Sequence, residues 1–258
     1  METGRPYSRL MLRLERFSAL SAIDRQCIAD LPLKLVNTPG DREVVSYGYA
    51  SSRCTLVLDG FLYSHKTVTG ARRQITSFFI PGDIVDLPTL YLPKVDHSIS
   101  TLGPAVLAFV PHAALKEVLD RSPALVQAFW RETLMQAAIF QEWVVNLGRR
   151  HAFAKVAHIV CELTVRRQAT GMARDLSVTI PWTQMDVADA CGISSVHANR
   201  VIQELRHVGL LEWDSKRVKI HDWDALARLG DFNDDYLQYR AATTKEAPLP
   251  GISVPEWT

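Results

Sequence analysis

The fold is decided by the stretch PWTQMDVADACGISSVHANRVIQELRHVGLLEWDSKRVKI, residues 181–220. Thr183 followed three residues later by Asp186 is a capping box, which predicts that a helix begins there. Gly192 allows a sharp left-handed turn after this helix, and Ser194 can cap a second one. A strand then starts near Leu210 and returns after a short turn as Val-Lys-Ile. The pattern predicts a winged helix-turn-helix.

The second helix of this stretch carries polar groups along its first two exposed turns. Its inner face is predicted to be Val196 or Ala198, Val201, Ile202 and Leu205, and the residues between them are Ser195, His197, Asn199, Arg200 and Gln203. Such a helix can read base edges in a major groove. The alternative is an ordinary helical hairpin with a solvated polar face. The basic wing, with Lys216, Arg217 and Lys219, favours DNA binding.

Bulk composition narrows the classes of protein that fit. The 258 residues are 47% hydrophobic with a net charge of +1, which predicts two smaller cores rather than one large core. No stretch is typical of a membrane span or a secretory signal. The four cysteines are scattered, which favours a reduced cytoplasmic compartment. Residues 149–222 carry 11 Lys and Arg against 8 Asp and Glu, as expected of a small DNA-reading module.

The N-terminal half alternates between helical and strand patterns. Residues 8–31 are predicted to form two helices, the second capped by Ser21. From Lys34 to Val110, short runs of β-prone residues are separated by Pro-Gly and Asp-Gly turns, which predicts an antiparallel β-roll or barrel. Residues 56–58 and 61–63 flank Asp59-Gly60 and are predicted to form a hairpin.

A long helix is predicted from Pro123 to Leu147, ended by Gly148, which would act as a hinge. It carries an apolar seam with a strict 4-3 alternation, which is typical of a coiled coil between two protomers: Val126, Trp130, Thr133, Ala137, Phe140, Val144 and Leu147. Leu125, Phe129, Leu134, Ala138 and Val145 are predicted to pack on the β-roll. The alternative is a helix buried within a single core. A two-fold dimer would suit DNA with two half-sites.

These patterns predict an α+β chain. We expect a β-roll sensor domain over residues 1–122, a dimerisation helix over 123–148, a DNA-binding domain over 149–230 and an acidic, poorly ordered tail over 231–258. His151 to Arg167 is predicted to be an amphipathic helix.

This order of parts resembles the Crp/Fnr family of bacterial transcription regulators. The likeness covers about residues 10–230 and is carried by Gly60 in LVLDGFLY, by PGDIVDL at 81–87 and by TQMDVADACGISSVHANRVIQELR at 183–206. It implies a cyclic-nucleotide-binding-like β-roll, a homodimer on palindromic double-stranded DNA, and RNA polymerase as a partner.

The resemblance assigns roles to residues of the winged helix-turn-helix. It implies base contacts by Ser195, Val196, Asn199 and Arg200, with Arg200 on guanine. It implies phosphate contacts by Thr183, Gln184, Ser194, His197, Lys216 and Arg217. The family usually has glutamate where this chain has Val196, so the preferred half-site should differ.

The sensor domain departs from the cyclic AMP-binding members. An ungapped match places Leu87 at the ribose-binding glutamate, His97 at the phosphate-binding arginine and Ser98 at the neighbouring serine. The chain thus lacks both the ribose acceptor and the fixed cation for the phosphate, which argues against binding of cyclic AMP. Leu87, His97, Ser98 and Thr133 are the candidate pocket for an effector of unknown identity. The N-terminal cysteine cluster of the iron–sulfur members is missing, and we expect no cofactor.

Other constellations have weaker support. His151, His158 and Cys161 share one helix face, and a transition metal could bind there with a fourth ligand from elsewhere. The favoured interpretation is that the two histidines are partly exposed and the cysteine is buried. We therefore expect no metal. Cys191 could be a redox switch, although a core residue is favoured. Asp83, Asp86, Asp96 and His97 are the only candidates for acid–base catalysis, and we expect no enzyme. A redox- or metal-responsive regulator of the same fold, or a ligand-binding or interaction protein without DNA readout, remain alternatives.

Overall fold

A computed structural model describes residues 6–16, 18–70, 72–171, 176–214 and 216–239. The first part of the chain is an antiparallel sheet flanked by helices. Its elements are α1 (Ser8–Glu15), α2 (Ala22–Ala29), β1 (Lys34–Thr38), β2 (Glu43–Val45), β3 (Arg53–Val68), β4 (Arg72–Phe79), β5 (Ser98–Pro111) and α3 (His112–Arg121). The strands lie in the order β1-β5-β3-β4, with β2 also paired to β5. The antiparallel β-roll is confirmed.

The predicted hairpin at Asp59-Gly60 is wrong. β3 continues through both residues, and its pairing with β5 shifts register on either side of Asp59. Gly60 has a φ of +84°, and a Cβ there would lie 2.5 Å from the carbonyl oxygen of Pro104. The Asp-Gly pair therefore forms a bulge against β5, because only glycine fits this close approach.

A capping box fixes the start of α2, as the sequence predicts. The Asp24 amide donates to Ser21 Oγ at 3.1 Å, and the Ser21 amide donates to Asp24 Oδ2 at 2.9 Å. α1 and α2 bury leucine and isoleucine side chains against β3, α3 and the start of the long helix. The N-terminal segment is thereby part of the core of the roll.

The long helix α4 (Pro123–Arg149) begins at Pro123, where Ser122 provides the N-cap. The predicted end at Gly148 is wrong, because the helix continues through Gly148 and ends with Arg150 in an extended conformation. Gly148 has no heavy atom within 4 Å of an added Cβ, so neither a close contact nor a positive φ requires glycine there. The turn at Arg150 separates α4 from the next helix.

α4 has one buried face and one exposed apolar face. The buried face packs on the roll and is formed by Leu125, Ala128, Phe129, Glu132, Met135, Ile139, Trp143 and Asn146. The seam residues lie on the other side, where Trp130 is 62% exposed and Val144 is 70% exposed. The alternative of a helix enclosed in one core is therefore wrong. Leu134 and Val145 were expected to pack on the roll, but both are exposed beside the seam.

The remaining elements form the C-terminal unit. They are α5 (Ala152–Ala169), β6 (Ser177–Thr179), α6 (Gln184–Cys191), α7 (Ser195–His207), β7 (Leu211–Asp214), β8 (Arg217–Ile220) and α8 (Trp223–Leu229). The wing is a three-stranded antiparallel sheet in the order β6-β8-β7. α5 is buried on most of its surface, so the expected amphipathic helix is instead a core helix.

The expectation of two separate cores is wrong. One buried cluster contains residues of β3 and β4, of α4 and of every helix of the C-terminal unit. Phe78 on β4 packs edge-on against Trp143, and Trp182 lies between Phe78 and Trp213 at centroid distances of 5.1 and 5.6 Å. Trp182 therefore links the roll to the wing.

A buried ionic network also joins the two units. Arg13 on α1 pairs with Asp83 and with Glu132 on α4. Arg166 on α5 pairs with Asp83 at 2.9 Å and with Glu162 at 3.1 Å. These five side chains are almost fully buried, so each charge depends on its partners for stability.

The segment after residue 230 is not a flexible tail over its described part. Residues 231–239 contain a 3₁₀ turn, Asp235–Leu237, whose Leu237 is fully buried. The Tyr236 hydroxyl donates to Glu162 Oε2 at 2.9 Å. The boundary at 230 is therefore wrong for this segment, and residues 240–258 lie outside the described residues.

Asp86 makes stability depend on pH. Burial raises the pKa of Asp86 to about 6, although the Thr55 amide and hydroxyl both donate to its carboxylate. Because this pKa lies above the unfolded value of about 4, the stabilisation is complete below about pH 4 and is lost as the pH rises to about 6.

Replacing Asp86 with Asn preserves an acceptor for the Thr55 amide without a charge. We expect Asp86→Asn to raise the free energy of unfolding by about 2–3 kcal/mol at pH 8 and by much less at pH 4. Urea unfolding at both pH values measures the difference. Asp96→Asn is the control: the His97 and Lys66 partners lower the pKa of Asp96 to about 2, so its removal should not stabilise at pH 8. An equal effect of Asp86→Asn at both pH values would contradict the assignment.

Within the described residues, we find no helix with the length and apolar character needed to span a membrane.

Candidate nucleic-acid interface

The helix-turn-helix is held by capping at each joint. The Asp186 amide donates to Thr183 Oγ1 at 3.2 Å, and the Thr183 amide donates to Asp186 Oδ2 at 2.9 Å, which completes the predicted box. Gly192 has a φ of +63° at the turn. Ser194 Oγ accepts from the His197 amide at 3.2 Å and begins α7. The local signals in the sequence therefore place both helices correctly.

α7 turns its apolar side inward through Ala198, Val201, Ile202 and Leu205. Of the two candidates for the first residue of this inner face, Ala198 is buried, whereas Val196 is 80% exposed. Val196 and Arg200 are one turn apart and both exposed, with Ser195 and Asn199 half-buried beside them. The four predicted base-reading residues thus lie in the first two turns of one helix.

Asn199 has an unusual environment for a surface residue. Its Oδ1 is buried and has no hydrogen-bond partner. An amide side chain at such a position is of the type that makes bidentate contacts with adenine. Arg200 is a planar guanidinium suited to guanine O6 and N7.

Three of the six predicted phosphate contacts line a groove of about 430 Å³ between α6, α7 and the wing. Thr183, Gln184 and Lys216 line this groove. The Thr183 amide and hydroxyl both donate hydrogen bonds to Asp186. The donors left for a phosphate are the first amides of α6 and the Gln184 side chain. Lys216 is exposed at the wing turn.

The other predicted phosphate contacts lie on neighbouring elements. Ser194 accepts from a backbone amide and keeps its hydroxyl hydrogen for donation, and His197 is half-buried on α7. Arg217 begins β8 and donates from Nη2 to Ser177 Oγ at 3.3 Å. Arg217 is therefore already anchored within the wing sheet.

Two residues on the same groove were not assigned from the sequence. Gln203 and Arg206 line it together with Gln184, and Arg206 donates to Gln203 Oε1 at 3.2 Å. Their signal was available, because residues 196, 200, 203 and 206 follow one another at spacings of three and four on the exposed face of the helix. Gln203 was noted as polar, but only packing shows that the wing faces it.

Charged contacts hold α6 against the roll. Arg73 on β4 donates to Asp186 Oδ1 and to Asp189 Oδ2, each at 2.7 Å. Gln74 donates to the Asp189 carbonyl at 2.7 Å. Asp186 therefore caps the helix and also binds the roll, a second role that local sequence could not predict.

The candidate effector residues do not line the larger clefts. Leu87 packs among the apolar residues near the N-terminal helices, and Thr133 Oγ1 donates to the Phe129 carbonyl. His97 Nδ1 is 2.8 Å from Asp96 Oδ1, and Ser98 Oγ accepts from the Tyr47 amide. None of the four lines the clefts of about 540, 520 and 430 Å³.

The candidate metal ligands have other partners. His151 caps α5, and His158 is fully buried with Nδ1 at 3.2 Å from the Gly230 carbonyl, so its expected partial exposure is wrong. Burial raises the pKa of the Cys161 and Cys191 thiols to about 12. In the described ranges no three His, Cys, Asp or Glu side chains are grouped to hold a metal ion.

The acid–base candidates are dispersed. Asp83 lies in the buried ionic network, and Asp86 is bound to Thr55. Asp96 is exposed and pairs with Lys66 at 2.9 Å and with His97. These carboxylates are each neutralised or hydrogen-bonded within the fold rather than presented to one cleft.

An antiparallel β-roll, a long helix and a winged helix-turn-helix together define a class of DNA-binding regulators. Residues 154–229 match the model of the Crp-like helix-turn-helix domain. The nitrogen fixation regulation protein FixK of Azorhizobium caulinodans is 27% identical over 191 residues, covering 74% of each chain. A protein of Rhizobium leguminosarum described as a probable transcriptional activator is 25% identical over 191 residues, covering 72% of this chain and 77% of its own.

The fold has a solved counterpart. The structure of FixK2 from Bradyrhizobium japonicum superposes with a TM-score of 0.70 at 20% identity, covering 77% of this chain and 98% of that one. The chain is similar to Crp/Fnr transcription regulators over about three quarters of its length, and its residues 154–229 are a Crp-like helix-turn-helix domain. It is a DNA-binding regulator of the Crp/Fnr type.

Proposed function

We propose that this regulator binds a palindromic operator as a homodimer, and that cyclic AMP does not control it. Each protomer reads one half-site with the first two turns of α7, and the phosphate contacts of α6 and the wing set its register. The observation that carries the proposal is the exposed apolar seam of α4. A second copy of the same helix is the partner that matches it.

The seam supports a two-fold arrangement for a physical reason. Monomeric proteins rarely expose a continuous apolar stripe, and this one includes Val126, Trp130, Phe140 and Val144. Two copies of α4 packed along it place both α7 helices on one side of the dimer. Half-sites about one helical turn of DNA apart, roughly 34 Å, then match the two-fold axis.

Cyclic AMP independence rests on the charges at the candidate pocket. His97 stands at the position matched to the family's phosphate-binding arginine, and the Asp96 carboxylate is bonded to it. The pKa of Asp96 is lowered to about 2 by His97 and Lys66, so this carboxylate is negative at neutral pH. His97 is thereby engaged by Asp96, which also pairs with Lys66, so it is not a free cation for a cyclic phosphate, and Leu87 offers no acceptor to a ribose.

The family also suggests the other partners. RNA polymerase would be recruited or excluded at promoters that carry the operator, and the cytoplasm is the compartment where both meet. An effector, if one is used, would shift the orientation of the two α7 helices and thus the half-site spacing.

The proposal is tested by selecting binding sites from random duplex DNA with the purified full chain and no added effector. We expect enrichment of a palindrome with one fixed half-site spacing. Enrichment of single half-sites without a fixed spacing would overturn the dimeric reading. Addition of cyclic AMP should leave the selected sequence and its affinity unchanged, and a tenfold gain would contradict that part.

Arg200 gives the sharpest test of base reading. We expect Arg200→Ala to weaken operator binding by about 1–3 kcal/mol and to relax preference at one base pair per half-site. Arg206→Ala is the matched control, because it removes an exposed arginine from the last turn of the same helix. The control should weaken all sequences about equally. A uniform loss for Arg200→Ala would contradict its assignment to a base.

A further inference from the structure

A cleft of about 540 Å³ opens between the roll and the C-terminal unit. The roll side is formed by the bulge at Asp59 to Phe61 and by β5, and the other side by α5, β6 and the wing turn. The two sides touch where a Cβ on Gly103 would lie 3.0 Å from Pro181 Cγ. A cleft of this volume accommodates a small organic ligand.

The cleft is lined by three cationic side chains from three different elements. They are Arg9 on α1, Arg167 on α5 and Lys216 at the wing turn, and among the described residues of the lining Asp59 is the single carboxylate. The ion pairs of the described ranges include none of the three cations. The described part of the lining therefore carries three cations against one carboxylate.

Arg167 is held in place but is not satisfied. Its guanidinium lies over the Phe61 ring, 5.2 Å from the centroid, and its Nε is buried without a hydrogen-bond partner. Desolvation and then the charge of Arg9 lower the pKa of Arg167. Each buried donor without a partner costs free energy that an acceptor from a ligand would recover.

Arg9 is oriented by the bulge. Its Nη1 donates to the Leu58 carbonyl at 2.6 Å, which leaves its other donors available to the cleft. Its backbone lies against Gly82, where a Cβ would come within 3.3 Å of Arg9 atoms. Two guanidinium groups close enough to perturb each other are thus directed to one space, an arrangement that suits an oxyanion.

We propose that this cleft is a binding site for a small organic anion, whose phosphate or carboxylate is held by Arg9 and Arg167 and whose flat apolar part lies near Phe61. The bound anion joins α1 and the roll to α5, and its charge draws in Lys216 from the wing. A regulatory effect on DNA affinity rests on the proposed function, but binding in the cleft does not.

The test uses the full chain and phenyl phosphate as the probe, measured by isothermal titration calorimetry. Phenol and benzoate are run in parallel to separate the ring from the anion and a phosphate head from a carboxylate. We expect saturable binding of one phenyl phosphate per protomer and no saturable binding of phenol. Saturable binding of benzoate at equal or higher affinity would assign the head group to a carboxylate.

Two substitutions locate the site. We expect Arg167→Gln and Arg9→Gln each to weaken phenyl phosphate binding by about ten- to a hundredfold. Arg121→Gln is the matched control, because Arg121 is exposed on α3 away from the cleft and should bind as the unchanged protein does. Far-UV circular dichroism confirms that the variants are folded, and the agreement of two independent variants separates loss of the site from misfolding.

Three results would overturn the proposal: no saturable binding of phenyl phosphate, phenol binding as well as phenyl phosphate, or Arg121→Gln weakening binding as much as Arg167→Gln. DNA affinity is measured separately on the selected operator. Phenyl phosphate binding that depends on Arg167, from protein that binds no DNA, would support the cleft and contradict the proposed function. DNA binding without saturable phenyl phosphate binding would support the proposed function and contradict the cleft.

Discussion

Arg166→Met should lower the free energy of unfolding by about 3–5 kcal/mol, because it leaves buried carboxylates without their cation. Arg166 is fully buried and is the partner that Asp83 and Glu162 share. Methionine fills much of the same volume but supplies no charge and no donor. Asp83 retains Arg13, whereas Glu162 keeps only the neutral donors Trp143 and Tyr236.

Urea unfolding followed by tryptophan fluorescence measures this loss. The control is Arg25→Met, which breaks the exposed pair of Arg25 with Glu15 and should cost less than about 1 kcal/mol. A loss for Arg166→Met that is no larger than the control's would mean that the network is not needed for stability. Glu162→Gln combined with Arg166→Met should recover part of the loss, because it removes the stranded charge.

Trp130→Arg should convert the proposed dimer to a monomer. The side chain is 62% exposed in one protomer and is the second of the seven seam residues, so the proposed interface would bury two new charges related by symmetry. An unpaired buried charge costs about 3–5 kcal/mol, which corresponds to at least a hundredfold weaker association. Phe140→Arg, which lies further along the same seam, should have the same effect.

Light scattering at micromolar concentration measures the mass of each variant. Gln141→Arg places the same charge at an exposed polar position of α4 and should remain dimeric. Operator affinity should fall steeply for Trp130→Arg, since a monomer contacts one half-site. A dimeric mass for Trp130→Arg would show that the seam is not the interface.

The contacts between the roll and the C-terminal unit have a common character. The ionic network around Arg166, the pairs of Arg73 with Asp186 and Asp189, and the cleft beside Arg167 all lie along one boundary. Each uses arginine, whose several donors can bridge partners from different elements. A signal that changes charge or occupancy at this boundary would therefore act directly on the position of α6 and the wing.

Local sequence determined the parts of this protein whose signals lie within a few residues. The capping boxes at Ser21 and Thr183, the turn at Gly192 and the seam of α4 follow from short-range hydrogen bonds and helical spacing, which need no knowledge of the rest of the fold. The family resemblance follows from the same stretches. The outward position of the proposed base-reading residues other than Val196 could also be predicted, because the apolar face of α7 leaves one side free.

Tertiary structure alone decided what depends on residues far apart in the chain. Asp59-Gly60 has the composition of a hairpin turn, but its contact with Pro104 makes it a bulge. Asp83 looks like a turn aspartate, yet it lies between arginines 70 residues before it and 83 residues after it, Arg13 and Arg166 respectively. Residues 231–239 are polar in composition but are ordered by Leu237 and Tyr236 in the core. Pairing over such distances is set by packing of the whole chain, and no local pattern records it.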